Sequence, residues 1–352
     1  MAIVRHIPAG PSKAQEGALF PKTNAVVDGD DCLHDCASCT IKYPNKFSID
    51  ESEHLYGRVD GWSTHLVVAT GKTDWVRDVA DEKGSIMEAV DKFRGNISNG
   101  KLKLSASNMP IPDHGDHTSV LLLPSFTIID HVTPKTVPDL ISHFINTSST
   151  NTTPLPHPAT PFSSLTTPPL TPALPTSISS GLTSRPCPHN YLILLCSQKT
   201  RDARCGQSAP LLRREFERHL RPLGLYRDLH DERPGGVGIY FISHVGGHKF
   251  SANVIIYRRE GAAGAGPAMN GSVAEVEEGA KEDGEEESNG TNGQESKAEE
   301  VNKEAAQCIW LARVRPEDCE NIVRYTILQG KLVKPERQLR GGFDRCKGLV
   351  SW

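Results

Sequence analysis

Four residues in the second half of the chain have the types and spacing of a metal or redox site. Cys196 and Cys205 are separated by eight residues in CSQKTRDARCG, and His244 and His248 by three in HVGGH. Two thiolates and two imidazoles can close a tetrahedral Zn2+ site. They can equally hold a [2Fe–2S] cluster, with the thiolates on one iron and the imidazoles on the other. Zinc modules usually place cysteines two to four residues apart, whereas eight intervening residues make an open loop that can wrap a wider cluster, which favours iron–sulfur. A third chemistry is a dithiol/disulfide pair of Cys196 and Cys205, whose thiolates Lys199, Arg201 and Arg204 would favour. It leaves the histidines without a role. A lone HxxxH is ordinarily a Gly-rich turn between surface histidines, and the two cysteines of the same small domain weigh against that here.

A second group, Cys32, Cys36 and Cys39 in DCLHDCASCT, combines C-x3-C with C-x2-C, a spacing common to redox and zinc sites. It marks a possible second redox or metal site. The following TIKYPNKFS is poor helix sequence, unlike the helix that opens after a thioredoxin-type C-x2-C. Cys187 reads as a linker residue, and Cys308, Cys319 and Cys346 as core or incidental, with Cys346 near enough to the end of the sequence for exposure. Nine cysteines in a chain this long suit a reducing compartment better than a disulfide scaffold. HLVVATGKT lacks the glycine that a phosphate-binding loop needs at Leu66. The basic residues of TRDAR and LVKPERQLRGGFDRCK belong to no nucleic-acid module and read as solvation or as docking for an acidic redox partner.

The elements that would position these groups follow from hydrophobic patterning. YLILL (191–195) is a buried strand. The run PLLRREFERHL is a helix, with Ser208 as N-cap and Leu211, Leu212, Phe216 and Leu220 on one face. GVGIYFIS and KFSANVIIYRR are strands that HVGGH would join as a hairpin; a three-residue loop of Val245, Gly246 and Gly247 would pair His244 with His248 across it. CIWLARV is a further strand, and PEDCENIVRYTILQG a helix that starts at Pro316 and stops at Gly330. In the first half, HLVVA, KLKLSAS and SVLLLPSFTIID read as strands, with helices at 138–145 and within 75–93.

The chain has 352 residues, 37% hydrophobic and 6% aromatic, enough for two domains but too polar to be folded throughout. Residues 260–304 carry 13 acidic against 3 basic side chains and no aromatic, the composition of a disordered insertion. Residues 146–188 hold 10 of the 25 prolines and read as a disordered linker. The expected plan is an N-terminal α/β domain (1–145), that linker, and a C-terminal domain (189–352) interrupted by the acidic segment. No run approaches the roughly 20 apolar residues of a membrane span, and the N-terminus has neither a secretory h-region nor a convincing presequence.

CSQKTRDARCG, HVGGHKFSANV, IWLARVRPED and ILQGKLVKPERQLRGG, with HLVVATGKTDW and the Cys32/Cys36/Cys39 cluster upstream, resemble the sucrase/ferredoxin-like family of fungi. The resemblance covers both folded parts but neither low-complexity segment. It implies a thioredoxin-like ferredoxin domain binding a [2Fe–2S] cluster outside the Rieske class, with Cys196, Cys205, His244 and His248 at the ligand positions. The N-terminal domain would be α/β, thioredoxin-like or related. The implied role is electron transfer or redox homeostasis in cytoplasm or mitochondrion, with an unidentified reductase or acceptor. No catalytic residue is assigned, and no carboxylate pair points to sucrose hydrolysis. The terminal Trp352 in LVSW is similar to tails that recruit the cytosolic iron–sulfur assembly machinery.

Overall fold

The computed structural model describes residues 12–112, 116–155, 174–262 and 303–352. Its strands are β1 (Ser12–Lys13), β2 (Thr64–Ala69), β3 (Leu102–Ser107), β4 (Thr118–Leu123), β5 (Thr127–Val132), β6 (Thr183–Pro186), β7 (Tyr191–Cys196), β8 (Tyr226–Arg227), β9 (Val237–Ile242), β10 (Val254–Arg259), β11 (Ala305–Leu311), β12 (Leu339–Asp344) and β13 (Leu349–Val350). They form one sheet in the order β1-β13-β12-β11-β10-β7-β9-β3-β2-β4-β5-β6, with β8 on β9. A single residue pair, Ser107 with Ile242, joins the two halves between β3 and β9.

The central strands β7 and β2 are buried along their whole length because both faces are covered. In β7, Tyr191, Ile193 and Leu195 pack under the helix Ala203–Leu220, while Leu192, Leu194 and Cys196 face the other way. In β2, Leu66 and Val68 meet the helix Ile86–Lys92 and the helical turns of 134–145, and Val67 and Ala69 face away. The away-facing residues of the two halves share one core, so the halves stack face to face with helices on the outside. His65 lies fully buried in that middle layer, with its two ring nitrogens 3.0 Å from the Tyr257 hydroxyl and 2.9 Å from Ser105 Oγ.

Several sequence expectations need correction. β9 and β10 are not a hairpin: β7 lies between them, parallel to β9 and antiparallel to β10. The apolar β7 takes both its edges, so 243–253 is a crossover spanning the end of β7. The first helix begins at Ala203, six residues before the expected start; Asp202 is its cap, accepting from the Arg204 N–H at 2.9 Å. Pro210 mimics a helix start but sits inside the helix. SVLLLPSFTIID is two strands, β4 and β5, turning at 124–126.

The described ends of the expected linker are structured. Asn151 is buried and donates to the Trp62 carbonyl at 2.7 Å, β6 pairs with β5, and Cys187 is a core residue. Hydroxyl and amide side chains satisfy the backbone there, a source of order that composition conceals. The remainder of the linker (156–173) and most of the acidic insertion (263–302) lie outside the described residues.

Burial fixes a pH response. His189, hydrogen-bonded to the Tyr240 hydroxyl, is pushed down to about 4 chiefly by desolvation, and His65 is held well below its ordinary value for the same reason. Each stays neutral when folded while the unfolded chain takes up its proton near pH 6.5. Their contribution is complete above pH 6.5 and lost as pH falls, for His189 down to about 4, where the loss reaches roughly 3 kcal/mol. Denaturant melts of His189→Gln should therefore show a shallower loss of stability between pH 6.5 and 4 than the wild type.

Candidate metal centre

The crossover over β7 brings the sequence-predicted ligands together. Cys196 is the last residue of β7, and Cys205 lies in the first turn of the helix that follows. His244 comes two residues after β9, and His248 begins a short turn at 248–250. All sit at the carboxyl ends of a parallel strand pair beside a helix N-terminus, where open α/β sheets bind their ligands.

Cys196 Sγ and Cys205 Sγ are 3.4 Å apart, and Cys196 Sγ is 3.7 Å from His244 Nδ1. The donor atoms of these three residues lie within 4.8 Å of one another. The His248 ring adjoins that of His244 with centroids 5.3 Å apart, and His248 is exposed where His244 is half-buried. The sulfur separation is close to the roughly 3.8 Å of two thiolates on one tetrahedral metal and far from the roughly 2 Å of a disulfide.

The donors are poised for cation binding. Contact with the Cys205 thiol holds Cys196 below the ordinary thiol range against burial, helped by the backbone N–H groups of Val245 and Gln198. The same contact, with burial, pushes Cys205 up. Desolvation and the neighbouring His244, Arg204 and Arg201 keep His248 below its usual value against the pull of Asp202, favouring the neutral imidazole that a metal needs.

Residues that sequence reasoning did not connect with the site hold the histidine loop. Gln198 accepts the His244 N–H at 2.8 Å, and Ser251 Oγ donates to the His248 carbonyl at 2.7 Å. Arg340 Nη1 donates to the Gly246 carbonyl (3.0 Å) and to Asn253 Oδ1 (2.8 Å), which also accepts from Trp310 Nε1 at 3.2 Å. The Arg340 guanidinium stacks 4.2 Å from the Trp310 ring centre. Arg340 and Arg345 are buried, so these two residues of the basic segment do not serve surface solvation or docking, whereas Lys334, Arg337 and Lys347 remain at least partly accessible. Lys103 lies 5.3 Å from the Trp62 ring centre. Burial pushes Lys103 down to about 8 and Arg340 to about 10, and the Cys196 charge draws both back up.

The other candidates lie elsewhere. Cys36 and Cys39 are near the far end of the long helix, beside Glu215 and His219, and Cys32 is buried in the turn Asp30–Leu33. Trp352 is half-buried and stacks on Trp62 with centroids 4.8 Å apart. Gly61 lies so near that a Cβ there would be 1.9 Å from the Trp352 ring. Cys346 is exposed. Lys72 of the GKT motif pairs with Glu82 at 2.5 Å.

A mixed α/β protein built around one large sheet, with a Cys/His group at the ends of a parallel strand pair, is thus the class defined by fold and site. The chain belongs to the sucrase/ferredoxin-like family, whose model matches residues 55–341. It is similar to "Actin patches distal protein 1" of Saccharomyces cerevisiae, 31% identical over 280 residues that cover 71% of this chain and 79% of that protein. It is also similar to "Altered inheritance of mitochondria protein 32" of Clavispora lusitaniae, 24% identical over 312 residues, 85% of this chain and 89% of that one. No solved structure matches the chain.

Gly246 and Gly247 separate two contributions to loop geometry. Both have positive φ, +88° and +67°, but a Cβ on Gly247 would meet the Arg340 guanidinium at 2.7 Å whereas one on Gly246 meets nothing within 4 Å. Gly246→Ala should cost about 1 kcal/mol from backbone strain alone. Gly247→Ala should lower the thermal midpoint further, and Arg340→Ala should remove that difference.

Proposed function

We propose that this chain is a [2Fe–2S] redox protein in which Cys196 and Cys205 ligate one iron and His244 and His248 the other. The reading rests chiefly on the convergence of Cys196, Cys205 and His244, with His248 adjoining, from segments up to 52 residues apart. The strand order β9-β7-β10-β11, with β7 and β9 parallel around a helix and the next pair antiparallel, supports assigning this half to a thioredoxin-like ferredoxin. Bound there, the cluster would supply reversible one-electron chemistry.

The protein's own residues set the terms of that chemistry. Neutral imidazoles in place of two thiolates leave the donor set less negative, raising the potential above that of an all-cysteine site. Buried Arg340 and half-buried Lys103 act in the same direction by offsetting added negative charge. The thiolates lie buried against the sheet while His248 reaches the surface, so electrons and protons would exchange on the histidine side. Arg201 and Arg204 border that side and, with the exposed Lys199 of the same loop, suit an acidic reductase or acceptor. Cytoplasm or mitochondrion is the proposed compartment, on the family relationship. Recruitment of the assembly machinery by Trp352 would require its ring to leave Trp62.

A second reading, thiol–disulfide exchange by Cys196 and Cys205, draws on their 3.4 Å separation; a structural zinc site is the third. Metal and acid-labile sulfide analysis of protein purified without oxygen separates them. Two irons and two sulfides per chain, with a visible spectrum altered or lost in His244→Ala/His248→Ala, are expected. One zinc without colour, or a reversible disulfide without metal, would replace the proposal. The potential should fall as pH rises through the histidine titration of the reduced protein, by up to about 59 mV per pH unit for one proton per electron. A pH-independent potential across the neutral and alkaline range would contradict coupling through an imidazole N–H.

A further inference from the structure

The long helix carries a second group of ligating side chains at its other end. His219 is 14 residues beyond Cys205, roughly 21 Å along the helix axis, so this group is independent of the proposed cluster. His219 Nε2 is 3.8 Å from Cys36 Sγ, and with a Glu320 carboxylate oxygen the three donor atoms lie within 4.8 Å of one another. Each comes from a different element: Cys36 from the N-terminal segment, His219 from the long helix, and Glu320 from the helical stretch Cys319–Asn321.

We propose that Cys36, His219 and Glu320 form a second metal site that takes Zn2+ and fastens the N-terminal segment to the two helices. Thiolate, imidazole and carboxylate are the donors zinc accepts in tetrahedral sites. The fourth position has a nearby thiol: Cys39, at C-x2-C spacing, lines with Cys36 a cavity of about 500 Å3 bounded also by Tyr43, Phe47 and Arg315. Burial and the Glu215 charge push Cys39 up to about 11, so a cation is what would bring its thiolate into play at neutral pH.

Without metal, Arg218 supplies the positive charge. Its Nη2 lies 3.3 Å from Cys36 Sγ and 3.0 Å from His219 Nε2, and it pairs at 2.7 Å with the buried Glu215. Ser38 Oγ also contacts Cys36 Sγ, at 3.4 Å. The Arg218 side chain is 40% exposed, and a bound ion that displaced it from Glu215 and Ser38 would neutralise Glu215 and Glu320 in its place. The scaffold is already set, because Cys36 N–H donates to the Glu317 carbonyl (3.0 Å) and Asn321 Nδ2 to the carbonyls of Asp31 (3.2 Å) and His34 (2.8 Å). Among the described residues, the stretch between the turn Asp30–Leu33 and β2 has no helix or strand, and irregular segments of this kind gain most from a metal staple.

The test uses the full chain and a readout specific to this site: alkylation of Cys36 and Cys39 by iodoacetamide, followed by mass spectrometry of their peptide with and without added Zn2+. Zinc should slow Cys36 modification by about tenfold or more, because a metal-bound thiolate is a poor nucleophile. His219→Gln and Glu320→Gln should each abolish the protection, and Arg218→Gln should give it at lower zinc concentration. Two single variants guard against one failing to fold, and Glu320 is the more exposed of the positions. Alkylation unaffected by zinc would overturn the proposal. So would equal protection in both variants, or a Cys36–Cys39 disulfide that forms regardless of metal.

Discussion

Everything at the candidate metal centre depends on β7 being buried on both faces and paired on both edges. An apolar strand with parallel β9 on one side and antiparallel β10 on the other forces the connection from β9 to β10 across its own carboxyl end. Cys196 ends that strand, and the helix returning toward β9 starts beside it, so Cys205 and the histidine loop meet there as a consequence of topology. The same burial sets the polarity of the site, with sulfurs inside and His248 at the surface.

Placing thiols and cations in a sheet interior carries a desolvation cost that only mutual compensation offsets. Cys196 is met by a thiol, two backbone N–H groups and the nearby charges of Lys103 and Arg340. Arg340 in turn ties the glycine-rich loop to Asn253 and Trp310, so the charge that faces the sulfurs also fixes the histidines. Metal-site geometry and electrostatics therefore share residues, and a substitution at Arg340 acts on both.

Much of this was legible in the sequence. YLILL, the helix face of Leu212, Phe216 and Leu220 and the stop at Gly330 appear where the patterns put them, while Leu211 falls off the buried face and the strand expected at 308–314 runs three residues earlier, Ala305–Leu311. Cys196, Cys205 and His244 come together as their grouping in the sequence suggested, with His248 beside His244, but through a crossover and not through the expected hairpin. The hairpin reading failed because Gly246 and Gly247 signal positive φ without saying whether the flanking strands pair, and β7 competes for both edges. The stacking of the two half-sheets, and the burial of Arg340 within the basic run, depend on contacts distant in sequence that no local pattern encodes. His219 and Glu320 carried no signal because single polar residues on amphipathic helices are ordinary.

The most direct test of the central claim, imidazole ligation from the loop that crosses β7, is pulsed electron–nuclear double resonance on the reduced full-length protein with 15N-labelled histidine. Two strongly coupled 15N nuclei, both lost in His244→Ala/His248→Ala, are the predicted result. A paramagnetic cluster with no strong nitrogen coupling would show that other residues complete the ligand set and would contradict the account.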